Sequence, residues 1–257
     1  MGVATRQSPQ GRASQRRIEQ RLLVERRHVR EQKMDRIEGL FIGRIAPLGE
    51  RTSAIVKSAV ASAELTPLGL RGDEQADQIN HGGPERALLQ YCARHYADWR
   101  RDLPTTGVPL AAPGFGENLS SSAMDEDSVC IGDIYRIGSA RIQVSQPRSP
   151  CWKLNANFGV PDLAQRVQNN ARCGWLYRVI EPGRLAVDDA IELIERPHPG
   201  ITVALLMRSI YAAPLDRDLL ASIAALAELS PNWRNKAQRR VAGETVATGA
   251  RLHGEPQ

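Results

Sequence analysis

Between residues 37 and 198, glycine and proline cut the chain into short extended runs. The runs 37–45, 53–60, 65–70, 128–131, 133–137, 140–144, 172–180 and 190–195 are rich in β-branched and aromatic residues and are bounded by turn residues, so each reads as a strand. Paired glycines at 82–83 followed by Pro84 suggest a helix start, and Leu88, Tyr91, His95, Tyr96 and Trp99 recur at roughly helical spacing, which predicts a helix over 85–103. A second helix is expected over 162–169, with Asp162 near its start. Many short strands with few inserted helices specify a mixed α+β, β-rich, barrel-like domain.

The pattern changes at the Arg196-Pro-His-Pro-Gly200 run, which has linker composition. Residues 201–211, 216–229 and 233–248 then read as three helices separated by Pro214 and Pro231. The organisation expected is a disordered basic tail at 1–33, a β-barrel domain at 34–198 and a small three-helix domain at 199–257. The basic cluster Arg234, Lys236, Arg239 and Arg240 reads as a solvated helix face.

Charge is unevenly spread. Residues 1–33 carry eight Arg and one Lys against three Glu, a net of +6 within a total of +5, which leaves −1 for the remainder. A basic tail of this kind can bind nucleic acid or an acidic surface. It also fits a translated upstream stretch, and we read Met34 as the natural start, with nucleic acid not expected as a partner. No apolar run reaches the 18 or so residues that span a bilayer, and no secretory h-region leads the chain, so a cytoplasmic protein is expected. The four cysteines, Cys92, Cys130, Cys151 and Cys173, have no C-x-x-C-type spacing and are expected to remain thiols.

Chemistry concentrates in Ser145-Gln-Pro147-Arg148-Ser149-Pro150-Cys151-Trp-Lys153-Leu154. Two prolines stiffen the segment and bias it against helix, placing Cys151 at the tip of a rigid loop. Arg148 and Lys153 flank the cysteine, and nearby cations favour the thiolate. Cys151 therefore reads either as a soft metal ligand or nucleophile, or as an inert buried thiol. His81 precedes Gly82-Gly83 at an expected helix N-terminus, a position that suits anions. Gly114-Phe-Gly116-Glu117-Asn118-Leu119 reads as a shaped polar loop.

Asn80-His81-Gly82-Gly83-Pro84-Glu85-Arg86-Ala87, Phe115-Gly116-Glu117-Asn118-Leu119-Ser120, Ile131-Gly132-Asp133, the 145–154 segment and Gly174-Trp175-Leu176-Tyr177 together resemble the MOSC family, the C-terminal domain of molybdenum cofactor sulfurases and its stand-alone relatives, in its YiiM-like branch. The resemblance runs from about Ile37 to the C-terminus. It implies a pyranopterin molybdenum cofactor in the barrel domain, with Cys151 as the metal ligand. Lys57, His81, Asn118, Arg148 and Ser149 are then candidates to hold the cofactor's phosphate and pterin, and His81 is also a candidate proton donor. The implied reaction is two-electron reduction of small N-hydroxylated compounds, such as hydroxylaminopurine-type base analogues, from N–OH to N–H. The sequence has no flavin or nicotinamide motif, so this reading requires an external flavoprotein as electron donor. The alternative is a carrier of cofactor or sulfur on Cys151, without turnover.

Overall fold

Alternating burial along the extended runs builds one curled sheet. The computed structural model describes residues 35–103 and 105–254, and the chain from Asp35 onward clusters as one compact unit. The basic tail lies outside the described residues. The largest sheet has nine strands, in the spatial order Asp35–Arg36, Ala190–Glu195, Ile134–Ile137, Ala140–Pro147, Trp175–Glu181, Leu88–Cys92, Leu119–Ser121, Gly39–Gly43 and Lys57–Ala59. Every neighbouring pair is antiparallel except Leu88–Cys92 beside Leu119–Ser121. Register shifts at Arg141/Ile142 and Val144/Gln146 bend the long central strand, as bulges do. A three-stranded sheet of Gly183–Ala186, Ser62–Thr66 and Gly69–Leu70 packs beside it. The architecture is the mixed α+β, β-rich one expected.

The helix expected over 85–103 does not form as one element. Pro84–Arg86 makes a single 3₁₀ turn, Leu88–Cys92 is a strand, and helix begins only at His95, running to Asp102. Pairing decides it: Leu88–Cys92 has Trp175–Tyr177 on one side and Leu119–Ser121 on the other. A strand covered on both faces loses its polar alternation, so its apolar spacing reads equally as helix. The expected strand at 128–131 reduces to an isolated bridge between Cys130 and Thr202.

An aromatic cluster packs in the core. Tyr91 stacks on Phe115 with ring centroids 4.3 Å apart. Trp99 packs on the same ring and donates Nε1–H to the Tyr91 hydroxyl at 2.7 Å. Buried polar atoms in this core are paired, as in the relay from Trp175 Nε1 to Tyr177 and on to Gln90 Oε1.

Three helices follow the barrel as expected, at Val203–Tyr211, Arg217–Ala224 and Pro231–Val241. Each is capped by a side chain that accepts a backbone N–H: Thr202, Asp216 and Ser230. A further short helix, Gly249–His253, was not expected. This region interlocks with the sheet. Ile131 N–H donates to the Ile201 carbonyl and Val203 N–H to the Val129 carbonyl, each at 2.9 Å, while Ser230 N–H donates to the Ser145 carbonyl at 3.0 Å. Arg196 makes a two-pronged ion pair with the fully buried Asp133. Among the described residues, no helix is long and apolar enough to cross a membrane.

Candidate functional site

The central strand delivers the cysteine. Ala140–Pro147 ends with Pro147 opposite Trp175, and Arg148 N–H still reaches the Gly174 carbonyl at 3.0 Å. Cys151 is extended and 7% exposed, and a helix starts directly after it, at Trp152–Phe158. The stiff loop expected over 145–154 is therefore shorter than its sequence suggested. Leu154 and Phe158, one turn apart and both fully buried, draw the residues after Cys151 into helix.

Cys151 lies in a cavity of about 490 Å³ that also takes in Lys57, His81, Asn118, Arg148 and Ser149. The six residues singled out from sequence thus share one cavity, although they come from segments almost a hundred residues apart. Seven basic side chains and three acidic ones line it, so the interior is electropositive.

His81 Nε2 stands 3.7 Å from Cys151 Sγ, and its Nδ1 faces Asp77 Oδ2 at 3.4 Å. Burial disfavours the Cys151 thiolate, but the His81 hydrogen bond, the Arg148 charge, the His81 charge and the Lys153 backbone N–H outweigh it and bring the thiol down to about 7. Lys153 therefore acts through its peptide group. The helix N-terminus that would have explained His81 is absent, because Gly82-Gly83 leads into the 3₁₀ turn. The place of His81 in the site comes from its contact with the cysteine.

Lys57 is deeply buried against Asp73, Nζ to Oδ1 2.5 Å. Desolvation lowers its pKa, and Asp73 opposes that. Asn118 donates to Asp73 Oδ2 at 2.9 Å and to the Phe41 carbonyl at 3.2 Å, and its Oδ1 accepts from Leu89 N–H. Its amide is thus spent on fixing the Lys57–Asp73 pair and the strand edge. Gly116 holds φ +78°, and a Cβ there would stand 2.9 Å from Ile55. The loop can therefore close on the cavity only with glycine at this position. Next to it, Glu117 is wholly buried and accepts from the Tyr96 hydroxyl at 2.7 Å. Desolvation raises its carboxyl to about 7 against these hydrogen bonds and the Arg148 charge.

Several lining residues lay outside the expected set. Gln146 is inside the singled-out segment but was given no role. Lys236 and Arg251 come from the C-terminal helices. Lys236 is half-buried and faces the cavity, contrary to the solvated face expected for its cluster. Its Nζ sits 4.5 Å from the centre of the Trp233 ring and donates to Ser149 Oγ at 3.3 Å. The three-residue spacing to the apolar Trp233 was the available signal, since it puts both on one helix face. Arg251 donates to the Pro150 carbonyl and to Gln168 Oε1, which ties the last helix to the cysteine loop.

Three lining atoms, Arg148 Nη1, Gln146 Oε1 and His81 Nδ1, are buried with no hydrogen-bond partner among the described residues. Such atoms are rare in folded proteins and mark a place where a bound group completes the bonding. A cationic cavity, unspent donors and acceptors, and a thiol near neutrality suit an anionic, heteroatom-rich ligand whose metal takes one soft protein ligand.

Residues 77–192 match the MOSC domain, and residues 201–244 match the YiiM-like, 3-alpha helix domain. Protein YiiM of Escherichia coli is 43% identical over 219 residues, spanning 84% of this chain and 97% of that protein. A Gibberella moniliformis protein named Reductase is 40% identical over 180 residues, which cover 69% of this chain and 32% of that protein. The crystal structure of YiiM from Escherichia coli superposes with a TM-score of 0.71 at 38% identity, covering 84% of this chain and 98% of that one. The sequence match, the shared fold and the matched helical region make this chain a member of the MOSC domain family, in its branch with a YiiM-like 3-alpha helix domain.

Proposed function

We propose that the chain binds a pyranopterin molybdenum cofactor in the Cys151 cavity and reduces N-hydroxylated compounds to the corresponding amines. The observation that carries this reading is the Cys151 thiol, brought to about 7 inside an electropositive cavity with unpartnered buried donors and acceptors. Kinship with a protein named Reductase agrees with it. Among the described residues, no group of three or more His, Cys, Asp or Glu could hold a bare metal ion. A metal that arrives with its own pterin sulfur ligands needs only the one thiolate.

The residues divide the work. Cys151 supplies the protein ligand, held rigid between Pro150 and the helix that follows. Arg148 and Gln146 offer the atoms that a pterin or phosphate would satisfy, while Lys57, Asp73 and Asn118 form a pre-paired wall. In its imidazolium form His81 donates from Nε2 toward Cys151 and carries a second N–H on Nδ1, 3.4 Å from Asp77 Oδ2, so it can hold a proton where the N–O bond breaks. A bound cofactor would supply the two-electron reduction. Overall, R–NHOH takes two electrons and two protons to give R–NH₂ and water, with a separate flavoprotein as the electron source.

The test is to purify the protein from a cofactor-competent host, measure molybdenum and pterin, and follow viologen-driven reduction of a hydroxylaminopurine by wild type and Cys151→Ser. Bound molybdenum with turnover that falls at least about tenfold in the variant is the expected result. Molybdenum without turnover of any N-hydroxylated compound would point to a carrier. No molybdenum and identical variants would overturn the reading.

A further inference from the structure

We infer that a second, smaller cleft beside the Cys151 cavity is a base-edge pocket, in which the Gln146 amide reads adjacent donor and acceptor groups on a neutral, planar heterocycle. For its chemical step the pocket rests on the function proposed above. It gives Gln146 to the substrate and leaves the cationic cavity to the cofactor.

The cleft has a volume of about 250 Å³. Gly82, Gly83 and Pro84 form one wall, and Pro231 and Asn232, at the start of helix Pro231–Val241, form the other. Pro84, Pro231 and Asn232 are exposed, whereas Gln146 is 3% exposed, so the amide lies at the closed end. Glycine backbone and proline rings make flat walls, and a Cβ on Gly83 would meet nothing within 4 Å. Sites for drug-sized ligands run about 300–1,000 Å³, so this space suits a ligand of one or two rings. Gln146, Arg86 and Asn232 also line the Cys151 cavity, so a group bonded to the amide stands where the two spaces meet. Charge tells the two apart. The charged residues of the cleft are Glu85 and Arg86, of opposite sign, and Arg178 donates to Glu85. A neutral ligand fits there, and an anion fits the electropositive cavity.

The strand aims Gln146 into this junction. Val144 pairs with Tyr177 and Gln146 with Leu176, so Ser145 is an extra residue. A bulge of this kind re-aims the neighbouring side chain. The Ser145 hydroxyl reaches the Glu85 carbonyl at 2.6 Å, which fixes the 82–86 turn against the strand. Gln146 Oε1 has no partner, and its Nε2 donates to no group among the described residues. A buried amide left unbonded is costly, and a ligand that bonds it relieves the cost. Its acceptor and donors lie in one plane, the arrangement with which glutamine bonds the edge of adenine.

The probe is adenine, titrated by calorimetry into full-length protein purified from a cofactor-competent host. The comparison ligand is 6-methylpurine, which keeps the ring acceptors and lacks the exocyclic donor. Saturable binding is expected, with adenine favoured about fivefold or more. Gln146→Leu should erase that preference. Pro231→Phe, which fills the cleft from its rim, should weaken both ligands about tenfold. Thermal unfolding checks that each variant is folded; if Gln146→Leu is not, the wild-type preference and Pro231→Phe decide. No saturable binding, equal affinity of wild type for the two ligands, an unchanged preference in Gln146→Leu, or undiminished binding in Pro231→Phe overturns the inference. Pterin is measured in the same preparations, and its loss in Gln146→Leu would give the amide to the cofactor and also overturn the inference. Absence of molybdenum from wild type would sink the proposed reaction and leave the adenine titration standing.

Discussion

Cys151 is set apart from the other three cysteines by its surroundings. Burial raises the thiols of Cys92, Cys130 and Cys173, and their smaller local interactions do not reverse it. At Cys151 the same desolvation is overcome by His81 and Arg148. Iodoacetamide should therefore label one cysteine per native chain, with a rate that is half-maximal near pH 7, and Arg148→Met should move that midpoint upward; peptide mass spectrometry across pH reads both. Two or more native sites, or an unmoved midpoint, would contradict it. Glu117 gives a second prediction of the opposite sense. Its folded carboxyl, at about 7, lies above the ordinary 4.5. The folded state holds the proton more tightly, so this group costs stability as pH rises from 4.5 through about 7. Glu117→Gln removes the titration. Its urea stability relative to wild type should improve by up to about 3 kcal/mol across that window, on top of a pH-independent offset from the altered contact with Phe115 N–H, which donates to Glu117 Oε2 at 3.1 Å. A flat difference would rule out a raised carboxyl. The reactive cysteine was legible because the prolines and Arg148 are its near neighbours in sequence. The loss of Asn118 to structural bonding was not, since its partners Asp73 and Phe41 are far away in the chain.

Among the elements, the last short helix, Gly249–His253, is the least expected and among the most consequential. Arg251 bonds the Pro150 carbonyl, Asn155 donates to the Leu252 carbonyl at 2.8 Å, and Arg51 donates to the Gly254 carbonyl at 3.1 Å. The chain end is thus fastened across the segment that carries Cys151. A chain stopped at Thr248 should melt about 5 °C lower and alkylate faster at Cys151 at fixed pH; calorimetry and labelling rates check this, and an unchanged labelling rate would show that the segment does not shield the thiol. Five residues are too few for helical periodicity to register, and no strong cap precedes them, so nothing local announces the helix. The strand Leu88–Cys92 was misread for a different reason. Its two flanking strands come from residues 119–121 and 175–177, and only their pairing separates a buried strand from a buried helix. By contrast, the three C-terminal helices were visible because Pro214 and Pro231 separate their runs.

For the whole molecule, punctuation by glycine and proline was enough to give the fold class, whereas the inward orientation of Lys236 depends on how the helical region docks, which no local pattern encodes. That docking is tight. The backbone bonds from Ile131, Val203 and Ser230 join the helices to the sheet. Barrel and helical region should therefore unfold in one transition, with far-UV dichroism and tryptophan fluorescence giving coincident curves in urea; Trp99 and Trp175 report on the sheet and Trp233 on the helices. Separate midpoints would mean independent folding units. The strand order also has a consequence for biosynthesis. Asp35 pairs with Ile191, and Arg36 with Ala190, so the first strand to leave the ribosome has its partner among the last of the sheet. At about 5–20 residues per second, it waits roughly 8–30 s before that partner is made. During synthesis the early strands are an open edge awaiting closure, and a nascent chain stalled before residue 190 would be a substrate for chaperones.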